Sequence, residues 1–395
     1  MKLACVIHRF GADIAGGSEG HCRLVAEHLS ARHDVTILTT CARDHVTWRN
    51  EYPSGESRAG ALRIVRFPVR RQRNLHEFRD LSDRVFAERA SAAEQEQWFK
   101  ENGPDTPALL EFLERRGSEF DLLLFWSYRY YHAYFGVPIV APRAVLVPTA
   151  EDDPLVHLEA LRPFFALPAG YVFLTPEEVD LLGDRVPVRT PRAVIGCGIE
   201  PSPPPPGPNP HASVSSPQPP IPNPYVLYLG RIDPNKGCER LVRHFLRFLE
   251  MTERHRDVSL VLAGPANMPI PEHPAIRRLG YVDDRTRDAL VANARALMMP
   301  SPFESLSMVL LEAWNLGVPA LVNAKCAVLR GQVLRANGGL YYRTALEFAE
   351  ALDYLLDHPA IARQLGDQGR AYVDREYRWP TVMAKLEALL ALAKH

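Results

Sequence analysis

The chain has 395 residues, of which 46% are hydrophobic and 24% charged, and its formal net charge is -1. That length suits two or three domains with real cores. The near-neutral charge excludes a chain-wide basic field that would recruit nucleic acid or anionic lipid.

The first elements in chain order are Leu3 to Ile7, a buried strand, and Gly11 to Gly17, a loop. The opening apolar run is too short for a secretory leader, and no stretch approaches the ~20 apolar residues that span a bilayer. A cytoplasmic protein is expected, with peripheral membrane contact left open. Ser18 to Ala31 places Cys22, Val25, Ala26 and Leu29 at helical spacing. Strands follow at Val35 to Leu38, Leu122 to Phe125, Ala144 to Val147 and Tyr171 to Leu174. Between them, Glu51 to Gly60 reads as a polar loop, Leu62 to Phe67 as a strand and Leu81 to Phe99 as a helix. The six cysteines form no C-x-x-C pair, so neither a disulfide framework nor a zinc site is expected.

Residues 201–224 hold 12 of the 35 prolines, which marks a semi-extended linker. A second alternation follows. Strands are expected at Tyr225 to Leu229, Val258 to Leu262, Ala296 to Met299 and Pro319 to Val322. Helices are expected at Glu239 to Leu249, Arg285 to Ala294, Ser307 to Leu316, Ala345 to Leu356, Ala360 to Tyr372 and Pro380 to Leu392. Strands alternating with helices predict parallel sheets and an α/β fold. The domains are then 1–200, the linker 201–224, a second domain 225–378, and a final helix 379–395.

Three segments carry chemistry. Gly230-Arg231-Ile232-Asp233-Pro234-Asn235-Lys236-Gly237 follows a strand, where ligands of parallel sheets gather. A guanidinium and an ammonium there suit a diphosphate, although two solvated cations read equally well from the pair alone. In Pro302 to Trp314, Glu304 precedes a helix and Glu312 lies inside it, about 12 Å further along the axis. Glu304 reads as a sugar-facing acid or a helix cap. Glu312 sits among apolar neighbours and needs a partner. Gly16-Gly17-Ser18-Glu19 is a glycine turn that lets backbone approach a phosphate, or a plain turn capped by Ser18. The aromatic run with Tyr128, Tyr130 and His132 offers rings to an acceptor or to the core.

Together with Leu262-Ala263-Gly264-Pro265 and the strand at 317–322, these segments make the chain resemble the family 4 retaining glycosyltransferases. The resemblance implies the GT-B fold: two Rossmann-like domains facing across a cleft, with a last helix crossing back to the first domain. It implies Arg231 and Lys236 as donor diphosphate binders, Glu304 facing the donor sugar and Glu312 on the ribose. It places Gly16, Gly17, Gly230, Gly264, Ser305, Leu306 and Ser307 around phosphate and sugar, and the base near Tyr281 and Val282. The donor is then a UDP- or GDP-linked sugar, a substrate, and no cofactor is needed. The acceptor is a small molecule, a glycan or a lipid-linked sugar, and nucleic acid is no partner.

Glu151 departs from the pattern, standing in Pro148-Thr149-Ala150-Glu151-Asp152-Asp153 where relatives carry a histidine. An ionised carboxylate cannot donate a hydrogen bond, so Glu151 is expected in the site, shaping donor choice or lowering activity. A second departure is Cys326 to Gln332, where relatives carry a donor-side loop. No D-x-D pair occurs, so metal-independent transfer is expected. The rival reading is a weak or inactive relative that binds a nucleotide-sugar or a protein. An NAD dehydrogenase is disfavoured, because no G-x-G-x-x-G follows a strand.

Overall fold

The computed structural model describes residues 1–14, 16–202 and 224–394. The chain divides into two compact units, Met1–Gly198 with the residues from Pro380 on, and Ile199–Trp379. Most of the Pro-rich stretch, expected as a linker at 201–224, lies outside the described residues.

The first unit contains β1 (Lys2–Val6), β2 (Asp34–Thr40), β3 (Gly55–Ala59), β4 (Leu62–Phe67), β5 (Leu122–Trp126), β6 (Ala144–Val147), β7 (Gly170–Phe173) and β8 (Arg192–Val194). They form one sheet in the order β3-β4-β2-β1-β5-β6-β7-β8. Only the β3–β4 pair is antiparallel. The central strands β1, β5 and β6 are buried along almost their whole length, as helices on both faces require of unbroken apolar runs. The final helix, Trp379–Ala393, buries Leu386, Leu389 and Leu390. It is tied within this unit by His33 to Glu387 at 2.9 Å and by Lys394 to Asp121 at 3.1 Å.

The second unit contains β9 (Tyr225–Leu229), β10 (Ser259–Ala263), β11 (Ile276–Gly280), β12 (Leu297–Met299), β13 (Ala320–Asn323) and β14 (Gly339–Tyr342). All its pairings are parallel, in the order β11-β10-β9-β12-β13-β14. This is the order of a doubly wound dinucleotide-type sheet, whose winding reverses between β9 and β12. In the first unit it reverses between β1 and β5. Ligands of such sheets lie beyond the carboxyl ends of the strands at these reversals.

Several sequence expectations are corrected. The stretch at 51–60 contains strand β3, fully exposed at the sheet edge. Leu81 to Phe99 is two helices, Leu75–Phe86 and Ala92–Asn102, the second started by a Ser91–Glu94 capping box. Cys326 to Gln332 opens the helix Ala327–Ala336 and is no loop. No helix among the described residues is long and apolar enough to cross a membrane. All six cysteines are buried and unpaired by disulfides.

Candidate functional site

In the second unit, the winding reversal between β9 and β12 brings the predicted residues together. The chain leaves β9 at Gly230, whose φ of 141° suits glycine. A Cβ on Gly264, at the end of β10, would stand 2.0 Å from the Gly230 carbonyl oxygen. The two glycines therefore let adjacent strand ends approach as no other residue would. Arg231 then points outward, with its Nε 3.6 Å from Asp233. Asp233 also accepts from the Asn235 N–H at 2.9 Å, which fixes the short 3-10 turn Pro234–Lys236. Gly237 closes that turn with φ 75° and packs against Pro300 of the loop after β12.

Across the reversal, the Lys236 ammonium donates to Glu304 Oε1 at 2.9 Å. Glu304 is only 13% exposed, so the ion pair is largely shielded from water. Glu304 is not the helix cap, because the helix Met308–Asn315 is capped by Ser307, whose hydroxyl accepts from the Leu310 N–H at 3.2 Å. Ser307 is buried, its N–H donating to Gln332 Oε1 at 3.2 Å, and Leu306 is buried beside it. Asn323, at the end of β13, donates to the Pro300 carbonyl at 3.0 Å and holds the loop from the other side. Ser305 is half-buried in that loop.

Glu312 lies half-buried two turns along. Burial pushes its carboxyl up, opposed by the charge of Arg287. Arg287, from the helix Asp284–Asn293, is the partner its apolar neighbours called for, and it also pairs with Asp284 and Asp288 at 3.1 Å. Asp283 caps that helix through the Thr286 N–H. Tyr281, just past β11, is 80% exposed, and Val282 is half-buried. Among the described residues no group of His, Cys, Asp or Glu is arranged to hold a metal ion.

The first unit carries a second polar cluster beyond its own strand ends. Gly17 begins the helix Gly17–Leu29, and Gly16 precedes it without a side-chain cap, so Ser18 lies inside the helix and caps nothing. The Glu19 carboxylate folds back so closely that a Cβ on Gly16 would meet its Oε2 at 2.3 Å. Glu19 receives His8 Nε2 at 3.0 Å and also pairs with Arg9. Burial works against a charge on Glu19, and His8 and Arg9 more than offset it, holding the carboxyl down to about 2. Burial also lowers His8, opposed by the Glu19 carboxylate.

The His8 ring stacks on Tyr130 at 3.9 Å across the reversal between β1 and β5. Tyr128 and His132 are fully buried, so of the three rings expected at an acceptor only Tyr130 is half-exposed. His132 donates to the Trp126 carbonyl at 2.9 Å, and burial lowers its pKa to about 3. His21, buried inside the first helix, bridges Trp126 and the Gly196 carbonyl.

Glu151 follows β6 at the same strand edge. Its carboxylate is not free: Arg129, from the segment after β5, reaches it at 3.3 Å and Asp153 at 2.7 Å. Two residues here hold left-handed backbone angles, Ser127 with φ 64° and Thr149 with φ 51°. Such angles are costly for a β-branched residue and gather at functional sites. Beneath the loop, buried Glu178 accepts from the Ala150 N–H at 2.6 Å and the Leu174 N–H at 2.7 Å. Sequence reasoning missed Glu178, Arg129, Arg287 and Gln332. The acid among apolar residues at 312 was the only sign of a hidden partner.

Residues 223–358 match the family model Glycosyl transferases group 1. Glycogen synthase of Mycobacterium tuberculosis is 26% identical over 180 residues, which cover 43% of this chain and 42% of that protein. The match thus spans about two fifths of that relative's length. Sucrose-phosphate synthase from Thermosynechococcus elongatus superposes with a TM-score of 0.71 at 18% identity, covering 99% of this chain and 98% of that one. Anabaena HepE in complex with UDP-glucose gives 0.66 at 14% identity, covering 99% of each chain. At such identities the structures show the fold, an α/β fold of the GT-B type. Over residues 223–358 the motifs read from the sequence fall within a match to the group 1 glycosyl transferases.

Proposed function

We propose that the chain is a retaining, metal-independent glycosyltransferase of the family 4 kind, moving a sugar from a nucleotide diphosphate sugar to an acceptor hydroxyl. The observation that carries this reading is the shielded Lys236–Glu304 pair, 2.9 Å long, set beside Arg231 at the reversal of a dinucleotide-type sheet. Lys236 has three donors, so it holds Glu304 and a phosphate oxygen together. In transfer, the bond from the anomeric carbon to the β-phosphate breaks and negative charge grows on the phosphate. Arg231 and Lys236 stabilise that charge without a metal. The acceptor oxygen bonds the anomeric carbon on the same face, and its proton passes to the departing phosphate oxygen.

Glu304 then faces the sugar, and Glu312, its charge tempered by Arg287, faces the ribose. The complex of HepE with UDP-glucose supports uracil as the base of the donor. Glu151 acts on donor choice together with Arg129, which supplies the hydrogen-bond donors a carboxylate lacks. Nucleoside diphosphate release from a panel of UDP- and GDP-sugars, in the presence of a chelator, tests the proposal. Release from at least one donor is expected. A nucleotide that binds without any release would favour the rival reading of a binding protein.

A further inference from the structure

In the first unit, the turn Phe10–Asp13, the helix Gly17–Leu29 and the β3–β4 hairpin line a half-open cavity of about 540 Å³. That volume lies in the range of small-molecule sites. Its walls carry Arg23, Arg58 and Arg66 against Asp13 and Glu27. Asp13 is already neutralised, since Arg43 Nε lies 2.8 Å away and the Tyr52 hydroxyl donates to it.

Arg66 is fixed in the wall. It donates to Ser57 Oγ at 3.0 Å and to the Phe10 carbonyl at 2.9 Å, and its guanidinium lies 4.6 Å over the Tyr52 ring. A Cβ on Gly11 would meet the Tyr52 hydroxyl at 2.5 Å, so glycine lets this wall close up. Arg23 is half-buried and Arg58 exposed, and among the described residues neither side chain has a hydrogen-bond or ion-pair partner. A half-buried guanidinium without a carboxylate keeps its donors available to an anion that enters the cavity. Guanidinium forks match the oxygens of a phosphate.

We infer that this cavity binds a small soluble phosphate monoester of sugar size, at a site separate from the diphosphate-binding residues of the second unit. Three arginines against one uncompensated acid fit a dianion better than a monoanion. The inference does not depend on glycosyl transfer, because its readout is binding alone.

Calorimetric titration of the full chain with ribose 5-phosphate, inorganic phosphate and ribose tests it. Saturable binding of ribose 5-phosphate is expected, with inorganic phosphate competing and ribose silent. Arg23→Gln should weaken binding at least tenfold, and Arg23→Lys should recover part of the loss. Arg231→Ala should leave it unchanged. Circular dichroism melting of each variant shows that it is folded. Absence of saturable binding, equal affinity in folded Arg23→Gln, or loss of binding in Arg231→Ala would each overturn the inference.

Discussion

Arg231 and Lys236 are both cations, and their partners differ. Arg231 is exposed beside Asp233, whereas Lys236 is held against a shielded Glu304. If both hold the donor diphosphate as proposed, replacing either by alanine removes a charge-assisted contact of roughly 1.5–3 kcal/mol. Calorimetric Kd values for UDP should therefore rise at least tenfold in each variant; unchanged values in both would remove them from the site. The two glutamates should separate. Glu312→Gln is expected to weaken nucleotide binding, because the proposed function places it by the ribose. Glu304→Gln should mainly lower kcat, because in the proposed function it faces the group whose charge changes. Steady-state kinetics showing the opposite split would exchange their roles.

Glu178 couples stability to pH. Burial pushes its carboxyl from 4.5 to about 8, against the pull of two backbone N–H groups. The folded pKa lies above the unfolded one, so folding takes up a proton between them. Its contribution to stability is whole below pH 4.5 and is lost as pH rises towards 8, at about 1.4 kcal/mol per pH unit. Urea unfolding at pH 5, 6 and 7 should show a flatter slope in Glu178→Gln than in the wild type. Equal slopes would place the Glu178 pKa at its ordinary value.

At the scale of elements, the strand ends carry both strain and close approach. Thr149 holds φ 51° just after β6, a conformation that costs ~1–3 kcal/mol for such a residue. Thr149→Gly should relieve part of that cost while adding freedom to the unfolded chain. A net gain of ~1 kcal/mol in urea unfolding is expected, and a net loss would mean that the Thr149 side chain is itself needed for stability.

The elements most legible in the sequence were those with unbroken apolar runs. β1, β5, β6 and β9 are such runs, and burial on both faces demands them. β3 reads GESRA and is exposed throughout, so no periodicity marked it. The break between the helices Leu75–Phe86 and Ala92–Asn102 contains neither glycine nor proline, and Glu88 turns it with φ 56°. The Arg231, Lys236 and Glu304 cluster was legible because each residue follows a strand or precedes a helix in a recognisable string. Arg287 and Gln332 come from helices remote in sequence, and only the fold brings them to Glu312 and Ser307.

At the scale of the whole molecule, each unit carries its own polar cluster at the reversal of its own sheet. In the second unit that cluster is cationic and opens beside Arg231. In the first it is a buried network around Glu19, His8 and Arg9, with Glu151 and Arg129 further along the same edge. The proposed diphosphate site in the second unit works by side-chain cations. Calorimetric titration of the full chain with UDP in excess EDTA, for wild type and Lys236→Ala, tests it most directly. Saturable binding in EDTA that weakens at least tenfold in Lys236→Ala is the predicted result. Binding that vanishes in EDTA and returns with magnesium or manganese, or that Lys236→Ala leaves untouched, would contradict it.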